Sequence, residues 1–269
     1  MTNTPTPYFV RSLARILWVA VCLTAVMTCQ WAQAQTYAAE QIERRIVIGV
    51  QVNAEALRGR LPSPWQLDPI TGGPLKGSNL LISLVDNLRT ENPEGNTSVS
   101  GTLRFAFFAA PATNPKTGQT VAVVLGGFAS NAAYVPGYYQ VYKAAAIRMQ
   151  HATKSVEGGA DERTDVWEVV DGSGKTELSL RMITLPDANM RSRVKSEIHS
   201  ISARDPALWR IYKFDSITDV VKSAALGIDR VQSLNLRVNS AEFADLFDGS
   251  EKLVGINLLP WYVRQVYIR

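Results

Sequence analysis

The sequence predicts a mainly β, single-domain fold: an antiparallel, barrel-like sheet with a few short helices. Three observations predict it. Side chains alternate with a period of two in Leu103/Phe105/Phe107, Leu178/Leu180/Met182 and Leu234/Leu236/Val238, which puts each set on one face of a sheet. Glycine- and proline-bearing turns punctuate the chain at short intervals, as in barrels and sandwiches. No linker-like stretch divides it, and no segment repeats.

Further strands are expected over Arg44–Val52, Asn79–Leu88, Thr120–Phe128, Val141–Gln150, Asp165–Val170, Trp209–Phe214 and Tyr262–Ile268. Asp171-Gly172-Ser173-Gly174-Lys175 reads as a tight hairpin, its glycines supplying the positive φ that such turns require. Asn53 is placed to cap a helix over Ala54–Arg60 that ends before Pro62, and Ser240 to cap one over Ala241–Phe247. Gly126-Gly127 inside an apolar run suggests a bulge or close backbone approach rather than a phosphate cradle.

Residues 1–34 have the order of a secretory signal peptide. Arg11 and Arg15 precede the apolar run Ile16–Cys29, and Ala32-Gln33-Ala34 gives the small-x-small cleavage pattern. That run is shorter than the roughly 20 residues a membrane span needs. Cys29 follows an apolar run, but Val26-Met27-Thr28 is a poor lipidation signal. The mature domain would be residues 35–269, in the periplasm or secreted. Cleavage removes both cysteines and two of the 28 basic residues but none of the 24 acidic ones, so the net charge falls from +4 to +2. The mature chain then has no disulfide framework, no thiolate nucleophile and no membrane span.

The sequence argues against several function classes. No basic cluster marks a nucleic-acid footprint. There is no G-x-S-x-G elbow and no phosphate-binding loop. His151 and His199 are the only histidines, so no transition-metal site and no cofactor is expected. Asp171-Gly172-Ser173 and Asp248-Gly249-Ser250 lack the later acidic ligands of calcium loops and read as turns.

Gly49-Val50-Gln51-Val52-Asn53-Ala54-Glu55-Ala56-Leu57-Arg58-Gly59-Arg60-Leu61-Pro62 resembles the opening of acetoacetate decarboxylase-like proteins, where a strand leads through a short helix to Leu-Pro. Val135-Pro136-Gly137-Tyr138-Tyr139-Gln140-Val141-Tyr142-Lys143-Ala144-Ala145-Ala146 is similar to the segment in which that family places Gly-Phe-Pro-Lys-Lys-Leu-Ala. The resemblance implies a barrel with a cavity, and chemistry by two adjacent lysines. One forms a Schiff base with a keto acid and the other lowers its pKa by charge repulsion. Here Lys143 is followed by Ala144, so the repulsion is missing. The resemblance therefore implies a small-molecule-binding protein without full decarboxylase activity. The alternative is a lyase or decarboxylase acting through a Lys143 Schiff base, with Ala145, Ile147 and Met149 beside it on one strand face. Arg104, Arg148, Arg181 and Glu168 are the other candidate ligand-binding residues, since alternate strand positions face a barrel's lumen and arginine pairs with carboxylates. The expected partner is a small organic acid or an apolar small molecule. Self-association into a homo-oligomer is left open.

Overall fold

Long apolar runs such as Phe105–Ala112 and Val121–Leu125 suit strands buried on both faces, since neither face has to carry polar side chains into water. The computed structural model describes residues 35–97, 102–155 and 161–269. The expected signal segment therefore lies outside the described residues. Fourteen strands account for most of those described. They are β1 (Thr36–Gln51), β2 (Gln66–Leu67), β3 (Leu80–Glu91), β4 (Leu103–Thr113), β5 (Thr120–Ala129), β6 (Tyr142–Ala144) and β7 (Ala146–Lys154), then β8 (Glu162–Val170), β9 (Thr176–Thr184), β10 (Arg191–Ser202), β11 (Trp209–Ser223), β12 (Ile228–Asp229), β13 (Val231–Val238) and β14 (Lys252–Ile268).

The larger sheet runs β2-β4-β3-β1-β14-β11-β10-β5-β6, with β12 paired to β11. β4 also pairs with β5, so β4-β3-β1-β14-β11-β10-β5 returns on itself as a ring. The smaller sheet is β13-β9-β8-β7. Tyr37–Ile268 form one compact unit.

Strand parity sorts the side chains into two groups. Ile46, Ile48 and Val50 on β1, Ile82 and Leu84 on β3, and Ala106 and Phe108 on β4 enter one apolar core with Trp167, Leu178, Leu180 and Met182 of the smaller sheet. Positions of the opposite parity on the ring strands line a cavity. The bulge expected near Gly126-Gly127 is present: Phe108 faces Gly126, but Ala109 faces Val124. A Cβ on Gly127 would lie 2.5 Å from the Ala106 carbonyl oxygen, so only glycine fits against β4 there.

The local signals hold in most places. The Asn53 side chain accepts from the amides of Glu55 (2.9 Å) and Ala56 (3.3 Å) and starts α1 (Ala54–Arg58), which ends earlier than expected. Asp171 accepts from the amides of Ser173 (2.9 Å) and Lys175 (3.0 Å), and Gly174 takes φ 86°, closing the hairpin between β8 and β9. The second expected helix is a single 3-10 turn, Ala241–Phe243, and Ser240 makes no side-chain cap. The expected strand Val141–Gln150 is two strands in two sheets. At Ala145 the chain leaves the larger sheet, with its amide bonded to the Ala129 carbonyl at 3.1 Å, and enters the smaller.

Candidate functional site

The ring encloses a cavity of about 530 Å³, within the range of small-molecule sites. Each ring strand supplies one face of its alternation: Gln41, Arg45 and Val47 from β1, Ser83 and Val85 from β3, and Phe105 and Phe107 from β4. Val124 of β5, Ser200 of β10, Arg210, Tyr212 and Phe214 of β11, and Arg264 of β14 complete the wall. The segment from Ala133 to Tyr142 closes one side with Tyr134, Tyr138, Tyr139 and Tyr142.

That segment is held in place by specific bonds. The Asn131 side chain accepts from the Ala133 amide at 2.9 Å and starts a 3-10 turn over Ala132–Tyr134. Gly137 takes φ 72°, and a Cβ there would lie 2.7 Å from the Tyr142 ring. Ser202 donates to the Tyr139 carbonyl at 2.6 Å, and Tyr138 donates to the Trp209 carbonyl at 2.8 Å.

Three guanidinium groups face the cavity from three neighbouring strands. Glu43, fully buried, lies 2.8 Å from Arg45 and 3.0 Å from Arg264, and it accepts the Tyr262 hydroxyl. Arg264 also donates through Nε to Gln41 at 2.8 Å and lies over the Tyr212 ring at 4.3 Å. Arg45 lies over Phe107 at 5.7 Å. Arg210 has no carboxylate partner among the described residues. It stacks on Tyr138 at 4.0 Å, and its Nε is shut off from water without an acceptor.

The tyrosines respond to this field. Burial opposes ionisation of Tyr212, but Arg210 and Arg264 outweigh it and lower its pKa below the usual tyrosine value. Its hydroxyl meets that of Tyr139 at 2.9 Å. Burial, with Tyr212 adding to it, pushes Tyr139 well above that value. Burial also raises Tyr142, although Arg210, Arg264 and Arg45 all act in the other direction.

None of the candidate catalytic or ligand-binding residues, Lys143, Arg104, Arg148, Arg181 and Glu168, lines this cavity. Lys143 and Tyr142 alternate on β6, and it is Tyr142 that faces inward. The Lys143 amine is exposed and pairs with Glu242 at 2.6 Å. The flank expected from Ile147 and Met149 is absent, because those residues belong to β7 in the other sheet. Arg148 and Glu168 pair across β7 and β8 at 3.1 Å in solvent. Arg181 is exposed on β9. Arg104 pairs with Asp86 at 3.2 Å. His151 pairs with Asp165, and His199 with Glu197, each at 2.9 Å. The arginines that do face the cavity, Arg45, Arg210 and Arg264, escaped the sequence reading. The available signal was their alternation with core residues: Arg45 beside Ile46, and Arg210 between Trp209 and Ile211.

No family model matches the chain, and no curated protein matches it in sequence. Solved structures do. The enduracididine biosynthesis enzyme MppR, complexed with pyruvate, superposes with a TM-score of 0.51 at 10% identity, over 89% of this chain and 91% of MppR. An acetoacetate decarboxylase-like enzyme from Sphingomonas wittichii RW1 gives 0.49 at 11% identity, over 89% of this chain and 94% of the other. The acetoacetate decarboxylase of Legionella pneumophila gives 0.45 at 12% identity, over 89% and 88%. At such identities the likeness is one of architecture: the chain shares the mainly β fold of MppR.

Proposed function

We propose that the protein is an exported binder of a small organic acid and does not perform Schiff-base decarboxylation. The observation that carries this reading is Arg210. Its guanidinium sits in an aromatic-lined cavity with no carboxylate partner among the described residues, and bidentate pairing to a ligand carboxylate is what such a group does best. The cavity wall contains no lysine, and Lys143 is engaged outside it by Glu242. Both points favour binding over amine chemistry. MppR, of the same fold, is complexed with the keto acid pyruvate, so keto acids belong in the trial panel.

Calorimetric titration with keto acids and saturated carboxylic acids, on the parent and on Lys143→Ala, tests the reading. Binding of at least one acid, unchanged by the substitution, is the expected result. Borohydride reduction with the same acids, followed by peptide mass mapping, should leave Lys143 unmodified. An adduct at Lys143 would overturn the proposal in favour of a lyase.

Export rests on the order of charge, apolar run and Ala-x-Ala within residues 1–34. N-terminal sequencing of protein from cell fractions should give a mature chain beginning at Gln35. A cytoplasmic chain that keeps Met1 would overturn it.

A further inference from the structure

We propose that the ligand is a dianion: a short, straight-chain dicarboxylate with one carboxylate met by Arg210 and the other by the Arg45–Arg264 pair. This rests on the organic-acid reading and specifies its ligand class.

Charge balance carries the argument. Three guanidiniums line the cavity and no carboxylate lines it. The nearest acid, Glu43, lies behind Arg45 and Arg264 and neutralises one positive charge between the two. Two positive charges are therefore left without an anion. Charge withdrawn from water without a counter-ion is costly, and a doubly negative ligand removes that cost at both places.

The three guanidinium groups share one neighbourhood. β1, β14 and β11 are successive strands, and contacts run from Arg45 through Glu43 to Arg264, then through the Tyr212 ring to Arg210. The Tyr142 phenol feels all three guanidiniums.

Arg210 lies over Tyr138, whereas Arg45 and Arg264 share Glu43; these different partners suit two separate anionic heads rather than one compact dianion. Val85, Phe105, Phe107 and Val124 offer apolar surface to the chain joining them. Methylene groups suit that surface.

Titration calorimetry at low salt decides the matter, using succinate, glutarate, the half-amide of each, and inorganic phosphate. The expected result is a dicarboxylate that binds at least about tenfold more tightly than its half-amide, with phosphate weaker than either diacid. In Arg210→Gln the diacid should lose that advantage. A half-amide that binds as tightly as its diacid would overturn the dianion while leaving organic-acid binding intact. Phosphate binding more tightly than both diacids would overturn the two-headed ligand. Failure of every acid, diacid and half-amide alike, would instead remove the organic-acid reading itself.

Discussion

Arg210→Gln is expected to weaken binding of the organic acid by roughly ten- to a hundred-fold, because it removes charge-assisted hydrogen bonds worth about 1.5–3 kcal/mol. The free protein should respond differently. Arg210 lies on a cavity wall without a carboxylate, so its burial is offset by the tyrosines around it, Tyr212, Tyr139 and Tyr138. Losing the stacking contact costs on the order of 1 kcal/mol, and relief of the desolvated charge acts in the opposite sense. Urea unfolding of the ligand-free variant should therefore stay within about 1 kcal/mol of the parent. A third readout is specific to the site. Arg210 is one of the two guanidiniums that lower the Tyr212 pKa, so an ultraviolet pH titration should show that tyrosine ionising at higher pH in the variant. Unchanged affinity with an unchanged tyrosine titration would place the ligand elsewhere.

Much of the fold was legible in the sequence because period-two alternation and turn chemistry are local. Leu178, Leu180 and Met182 are buried together as their spacing implied, and Asp171–Lys175 forms its hairpin through its own side chain. Two elements were illegible for the opposite reason. β10 carries Arg191, Arg193, Lys195 and Glu197 on an exposed stretch and shows no apolar alternation; pairing with β11, reinforced by Arg193 to Asp215 at 2.6 Å, makes it a strand. The switch of sheets at Ala145 has no local marker, yet it separates Lys143 from the residues that its spacing placed beside it. The site suffered more than the fold. The segment around Val135–Tyr142 was recognised and does close the cavity, but its strand phase brings Tyr142 inward and turns Lys143 out. Alternation marks each cavity arginine locally, but their convergence on one site appears only when three strands distant in sequence are set side by side.

Glu43→Gln is expected to destabilise the protein by about 3–5 kcal/mol, the cost of removing one partner from a buried ion pair. Glu43 is fully buried, holds Arg45 and Arg264, and accepts from Tyr262. Glutamine keeps the shape and one acceptor oxygen. It loses the charge and turns an amide donor toward one of two guanidinium donors. Urea unfolding should show a lower midpoint with an unchanged slope, because the surface exposed on unfolding is the same. The same substitution raises the charge left without an anion around the cavity, so a bound dianion should raise the melting temperature of the variant by more than it raises that of the parent. The two effects have one cause and opposite signs: the anion that the protein lacks is partly supplied by the ligand. Stability equal to the parent would show that Glu43 does not balance these arginines as a charge. The count of two unbalanced positive charges, and with it the preference for a dicarboxylate, would then lose its basis.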